Sequence, residues 1–230
     1  MFADAVLSLF ERYLPPNPEL SILEIGGAPG RWLASLHRAR GYRVAVLDRS
    51  SVGAAKTREN FELLGIDGEV LEEDMFAPAL PEARFDVVCS LGLIEHFKDP
   101  RPVVEAHLPF LKPGGLLVLG VPNLRGVNAL VTRRLAPAYL ALHNARIMDL
   151  DRWAEFEDAL RLRVLFKGYV GGFDPTILAR VERRGLLARA IGGTLYRAGA
   201  VSNLRGLRWL RRADSRWWSC YGIAVYRTET

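Results

Sequence analysis

The chain has 230 residues, of which 50% are hydrophobic and 25% charged, an ordinary globular composition with room for one core and some embellishment. This excludes overall disorder, a collagen-like chain and a disulfide scaffold, and no uncharged apolar run approaches the roughly 20 residues that cross a bilayer. The net charge of +5 is unevenly placed: residues 174–217 hold ten arginines against Asp174, Glu182 and Asp214, so the remainder is near neutral.

Residues 3–14 read as an amphipathic helix closed by Pro15-Pro16. Asp4 and Glu11 interrupt the apolar stretch and no basic start precedes it, which argues against a signal peptide. Leu20–Gly27 is a short apolar run ending in glycine, a buried strand by type. A helix follows to Gly41, then a strand over Tyr42–Asp48. Ser50 caps a helix that runs to Gly65, and a third, shorter strand lies within Asp67–Phe76. A fourth strand sits within Ala83–Phe97, a helix spans Asp99–Gly115, and Leu116–Asn123 forms a fifth strand. Residues 124–150 contain no clear strand, and 150–160 read as a helix. Arg161–Val170 gives a sixth strand, 174–214 two or three basic amphipathic helices, and 217–227 a last strand rich in aromatic and β-branched residues.

This alternation predicts an α/β fold: a doubly wound, mostly parallel sheet of seven strands with helices on both faces and helical lid insertions after strands five and six. The whole chain, 1–230, is expected to be one domain. Its parts are an N-terminal helix (1–18), a cofactor-binding core (20–122), substrate-side insertions (123–150 and 174–215) and the last strand. Cys89 and Cys220 lie in apolar, strand-like contexts, which fits a reduced cytoplasmic protein. No feature specifies an oligomeric state.

The chemistry concentrates where strand one meets helix one, at Leu23-Glu24-Ile25-Gly26-Gly27-Ala28-Pro29-Gly30. Glycines there allow a tight turn and close approach of a ligand to the main chain, and the following helix offers free amides. Asp48 ends strand two, 24 residues after Glu24, where a carboxylate can accept from both hydroxyls of a ribose. Asp74 follows strand three, placed to accept from an adenine amino group, with Met75 and Phe76 beside it for apolar contact. The loop reads G-G-A-P-G-R and does not fit the G-x-G-x-x-G of dinucleotide binders.

With these pieces the sequence resembles the class I S-adenosylmethionine-dependent methyltransferases. The resemblance rests on Glu24 through Gly30, Asp48, Asp74, Phe85-Asp86-Val87-Val88 and Leu111-Lys112-Pro113-Gly114-Gly115, five motifs in order. It covers residues 20–122 and, loosely, the last strand. Leu93-Ile94-Glu95-His96-Phe97 is similar to the EHF/EHV element of small-molecule and quinone-type members. The resemblance implies S-adenosylmethionine as cofactor and S-adenosylhomocysteine as product. It implies a cofactor site drawn from Glu24, Gly26, Gly27, Ala28, Gly30, Asp48, Arg49, Asp74, Met75 and Leu91. One position departs from the pattern: the middle glycine of the loop is Ala28, which narrows the space above the cofactor's amino-acid part by one methyl.

The implied reaction is in-line displacement at the sulfonium methyl, which asks the protein to align a nucleophile and exclude water. A base is required only where the acceptor carries a proton, as a hydroxyl does. His96, at the family's substrate edge, and His143, in the insertion after strand five, are the candidate catalytic residues. His37 and His107 are expected to be structural. Glu95 beside His96 offers one carboxylate and one imidazole, a poor metal site, so no metal is expected. Tyr139, Arg146, Trp153, Phe166, Tyr169 and Phe173 are candidates for lining the acceptor site.

The expected acceptor is a small molecule methylated at oxygen or nitrogen. Gly27–Trp32 is also similar to the loop of ribose 2′-O RNA methyltransferases, and the basic 174–217 segment suits RNA phosphates. The Lys-Asp-Lys-Glu tetrad of those enzymes is absent, as is an NPPY-type element. Two further readings stand beside these. Residues 174–217 form a face for peripheral membrane contact, or the chain is a non-catalytic cofactor-binding protein of the same fold.

Overall fold

The structure, a computed structural model, describes residues 2–14, 16–79, 83–135, 137–173 and 213–228. Every residue of β1 (Ser21–Ile25) after Ser21 is buried, as a strand with parallel neighbours and helices on both faces requires. β1 pairs in parallel with β2 (Arg43–Leu47) on one side and β4 (Phe85–Leu91) on the other. β3 (Glu69–Leu71) extends the sheet beyond β2, and β5 (Leu111–Pro122) beyond β4, both in parallel. β7 (Ser219–Thr228) runs antiparallel between β5 and β6 (Leu162–Phe173). The sheet order is β3-β2-β1-β4-β5-β7-β6, the doubly wound, mostly parallel arrangement expected from the sequence. The strand order reverses between β1 and β4, where open α/β sheets leave a crevice at their carboxyl edge.

Alternate residues feed two cores, one per face: Leu23 and Ile25 join the first, Ile22 the second. α1 (Phe2–Tyr13) buries Val6, Leu9 and Phe10, spaced three and four apart. The Tyr13 hydroxyl at its end donates to the Leu165 carbonyl of β6. α2 (Arg31–Arg40) buries Trp32, Leu33, Ala34 and Leu36 and stops at Gly41. α3 (Ser51–Leu64) is capped by Ser50, whose Oγ accepts from Gly53 N, and ends at Gly65.

The helix expected over residues 99–115 is much shorter. α4 covers Arg101–Glu105 only, a 3₁₀ turn spans Leu108–Phe110, and Leu111–Gly115 already belong to β5. The cause is Pro109, which lacks an amide donor and clashes with the preceding turn. His107 Nδ1 meets the Val103 carbonyl at 2.7 Å, filling part of the broken ladder.

The insertion after β5 is helical, as α5 (Gly126–Leu135) and α6 (Pro137–Ala141), and α7 (Ala154–Ala159) follows a 3₁₀ turn. Asn123 fixes its root: the side-chain amide donates to the Ser219 carbonyl of β7, and Asn128 Nδ2 donates to the Asn123 carbonyl. The basic helices expected at 174–214 lie outside the described residues, apart from 213 and 214. Among the described residues no helix is long and apolar enough to cross a membrane.

Candidate active site

The turn after β1 is shaped by glycine. Gly30 adopts φ +75°, and a Cβ there would stand 2.7 Å from the Phe61 ring. A Cβ on Gly27 would stand 2.6 Å from Glu24 Cγ. Both positions therefore exclude larger residues, and Glu24 packs directly beneath the loop. α2 begins at Arg31 with no side-chain cap and no acid in its first turn, so its first amides stay open to a ligand. A Cβ on Gly53 would stand 3.0 Å from Ala28 Cβ. The extra methyl of Ala28 thus faces the space that Gly53 leaves bare, and the loop accommodates it.

Three buried polar atoms near the carboxyl edge find no hydrogen-bond partner among the described residues: Glu24 Oε2, Ser90 Oγ and Glu95 Oε2. Burial pushes the Glu24 carboxyl up to about 8, against the pull of the Arg31 charge. Burial likewise raises Glu95 to about 7. Unpartnered polar groups in a protein interior are costly, and they mark places where a ligand completes the network.

Asp48 directly follows β2. It accepts from Ser50 N at 2.9 Å and from Ala28 N at 3.4 Å, so its carboxylate is tied to the glycine loop. Asp74 accepts from Phe76 N at 3.0 Å, and Arg49 reaches it at 3.8 Å as a loose, exposed ion pair. Met75 is buried in the core, whereas Phe76 is 51% exposed and meets Phe97 edge-on. Of these two, Phe76 has the free aromatic face. Leu91, the last residue of β4, is half-buried beside Gly120. The whole predicted cofactor set thus gathers around the carboxyl ends of β1, β2, β3 and β4. S-adenosylmethionine fits this donor set, with an unpartnered carboxylate for its ammonium and sulfonium charges and carboxylates placed for hydroxyl and amino groups.

The lid meets the sheet at the two candidate histidines. Their ring centroids lie 4.8 Å apart, and His143 also lies 4.4 Å from the Tyr139 ring. Asn144 clamps this contact. Its side-chain amide donates to the Phe97 and Lys98 carbonyls, and its main-chain amide to the Glu95 carbonyl. Burial lowers the His143 pKa, the Tyr139 carbonyl contact raises it and the nearby His96 lowers it, and the net shift is downward, toward the neutral imidazole. An open cavity of about 570 Å³ borders both histidines, with Lys98, Arg146 and Arg152 on its wall. No residue of the glycine loop lines it.

Several expected acceptor-lining residues are structural instead. Trp153 is fully buried in the core and donates to the Ile147 carbonyl. The Tyr169 hydroxyl donates to the Met148 carbonyl and braces the lid. Phe166 packs against Tyr13 at the far edge, and the Phe173 side chain lies outside the described residues. As expected, His107 is buried, and His37 Nδ1 bonds the Tyr42 carbonyl. Sequence reasoning missed Tyr221 of β7. Its ring fills the space left by Gly120, its hydroxyl lies against Gly92, and burial with Glu95 and Glu24 nearby drives its pKa well up. The only sequence signal was the pair of glycines, since Tyr221 lies some hundred residues away.

Residues 2–169 match a family model described as a methyltransferase domain. A ubiquinone biosynthesis O-methyltransferase of Alkalilimnicola ehrlichii is 29% identical over 150 residues, covering 60% of this chain and 59% of that protein. A probable S-adenosylmethionine-dependent methyltransferase of Mycobacterium tuberculosis is 27% identical over 115 residues, covering 50% of this chain and 40% of that protein. The chain thus spans about half the length of the curated relatives it matches. Among solved structures, an S-adenosylmethionine-dependent methyltransferase from Archaeoglobus fulgidus superposes with a TM-score of 0.61 at 15% identity, over 98% of this chain and 94% of that one. That likeness supports the fold.

Proposed function

The chain belongs to the methyltransferase-domain family, and from that premise we propose that it transfers the methyl group of S-adenosylmethionine to oxygen or nitrogen of a small-molecule acceptor. The observation that carries the cofactor half is the glycine loop over the buried, unpartnered Glu24, flanked by Asp48 and Asp74. S-adenosylmethionine supplies a methyl on a good leaving group. The chain's own work is to hold it, exclude water and receive the acceptor's proton.

Glu24 faces the cationic amino-acid end. A positive charge arriving beside a carboxyl with a pKa near 8 drives off its proton. Asp48 holds the ribose and Asp74 the adenine amino group, with Arg49, Met75 and Leu91 around them. On the acceptor side, His143 and His96 take the proton of an acceptor hydroxyl or amine. The downward shift of His143 favours the neutral imidazole, the state that can do so.

The small-molecule reading also draws support from the quinone-type relative. An RNA acceptor is not favoured. It rested on the 174–217 segment, which lies mostly outside the described residues, and on one loop. A peripheral membrane contact through that same segment remains a proposal of the sequence alone. Both cysteines are buried, Cys89 in β4 and Cys220 in β7, and action in the cytoplasm remains part of the proposal.

The test is incubation with methyl-labelled S-adenosylmethionine and separate pools of small metabolites and RNA. Label in the metabolite pool, lost in His143→Ala with cofactor affinity retained, supports the reading. Label in RNA, or none anywhere, contradicts it.

A further inference from the structure

Among the described residues, one trio of metal-ligand type converges: Glu95, His96 and His143, each offering an atom within 4.8 Å of the others. Glu95 and His96 are adjacent in sequence and by themselves a poor site, and the fold adds His143 from the lid. Three further features accompany this convergence. Glu95 is 1% exposed and its Oε2 finds no partner among the described residues. His143 Nδ1 lies 2.7 Å from the Tyr139 carbonyl. That oxygen only accepts, so the proton sits on Nδ1 and Nε2 is left with its lone pair free. A carbonyl that accepts from the far ring nitrogen in this way is what orients metal-binding imidazoles. The two histidines also border the 570 Å³ cavity, which leaves an open side.

We propose that Glu95, His96 and His143 bind a divalent transition-metal cation that ties the lid to the end of β4. Two imidazoles and one carboxylate suit Zn²⁺ or a neighbouring transition ion better than Mg²⁺ or Ca²⁺, which prefer all-oxygen sites. Ligands about 2.1 Å from one tetrahedral ion stand about 3.4 Å apart, so the widest separation of 4.8 Å closes by about 1.4 Å. His96 is exposed and free to make that adjustment. Three protein ligands leave a fourth position facing the cavity for water or an acceptor oxygen. With the ion bound, the imidazoles are ligands and the proton-accepting role given to them above belongs to the metal-free chain alone, while a coordinated hydroxyl is made more acidic by the ion itself. The proposal rests on the reading above only in taking this edge as the acceptor side.

Binding is tested without turnover. The chelator-treated full chain is titrated calorimetrically with Zn²⁺, and with Co²⁺ while its visible absorption is recorded. One equivalent should bind with micromolar or tighter affinity and release protons, and Co²⁺ should give the bands of low coordination number. Each of Glu95→Gln, His96→Ala and His143→Ala should weaken binding at least tenfold, and Mg²⁺ should not compete. Hydrogen exchange over 137–149 should slow when Zn²⁺ is added. Absence of saturable binding, or equal binding by the His96→Ala/His143→Ala double variant, overturns the proposal. If the ion fails to bind while S-adenosylmethionine binds and label is transferred, the cation alone falls. If Zn²⁺ binds and no label is transferred, the reading of function falls and the metal site stands.

Discussion

At the amino ends of the strands, Asp86 and Glu69 have found their partners. Asp86 accepts from Ser21 N and Oγ, and Lys112 Nζ bridges both of its oxygens at 2.9 Å. Burial raises the Asp86 pKa, but the Ser21 and Lys112 contacts outweigh it and hold it below the usual carboxylate range. Arg84 pairs with Glu69 through two hydrogen bonds. Ser21, Lys112, Arg84 and Glu69 line a second cavity of about 650 Å³. At the carboxyl ends of the same strands, Glu24, Ser90 and Glu95 are more deeply buried and unpartnered. One sheet therefore carries two regimes. Asp86 and Glu69 are satisfied within the fold, whereas Glu24, Ser90 and Glu95 are left open at the edge proposed to bind a ligand, with His107 Nε2, buried behind α4, the one structural exception among the described residues. Cavity size alone would not tell the two ends apart.

The difference has opposite pH signatures. Glu24 has a raised pKa in the folded chain, so its contribution to stability is complete below about pH 4.5 and is lost as pH climbs to about 8. Asp86 has a lowered one, so its contribution is present above its ordinary value and lost as the solution is acidified. Chemical denaturation between pH 5 and 8 should show Glu24→Gln losing less stability than the parent. The expected gap grows by on the order of 1 kcal/mol per pH unit. Parallel curves would show that Glu24 is not buried as described. The next largest effect is on ligand affinity. Asp48→Ala should weaken S-adenosylmethionine binding by about 1–3 kcal/mol while the unfolding midpoint moves little. Calorimetry gives the first number and thermal melting the second.

A smaller effect is expected at the amino end. Lys112→Met should cost about 1 kcal/mol or less, because the pair is partly solvated, and cofactor affinity should stay the same. A change in affinity there would erase the contrast between the two ends. The effect at the lid is of similar size. Asn144→Ala removes two side-chain hydrogen bonds to the loop after β4 and should cost about 1 kcal/mol, mostly as faster hydrogen exchange over 137–149.

Much of this was legible in the sequence because it was local. The β1 loop, Asp48 and Asp74 each follow an apolar strand, and an alternating strand–helix pattern brings strand ends to one edge. Ser50, Gly41 and Gly65 marked helix ends by the chemistry of capping. Contacts set by tertiary packing were not legible. His96 and His143 are 47 residues apart in sequence, and only the Asn144 clamp brings their rings together. Tyr221 enters from β7 because that strand inserts between β5 and β6. Trp153 looked like a site aromatic and proved to be core, because composition does not reveal which face of a lid turns inward. The helix before β5 is shorter than its sequence pattern implies because Pro109 breaks it.

The central claim is that the carboxyl edge is an S-adenosylmethionine site whose buried Glu24 meets a positive charge. The most direct measurement is calorimetric titration with S-adenosylmethionine in two buffers of different ionisation enthalpy at pH 7, for the parent chain and for Glu24→Gln. The account predicts one site of micromolar affinity, with proton release in the parent that disappears in the variant. No binding, or binding with the same proton balance in both proteins, would contradict it.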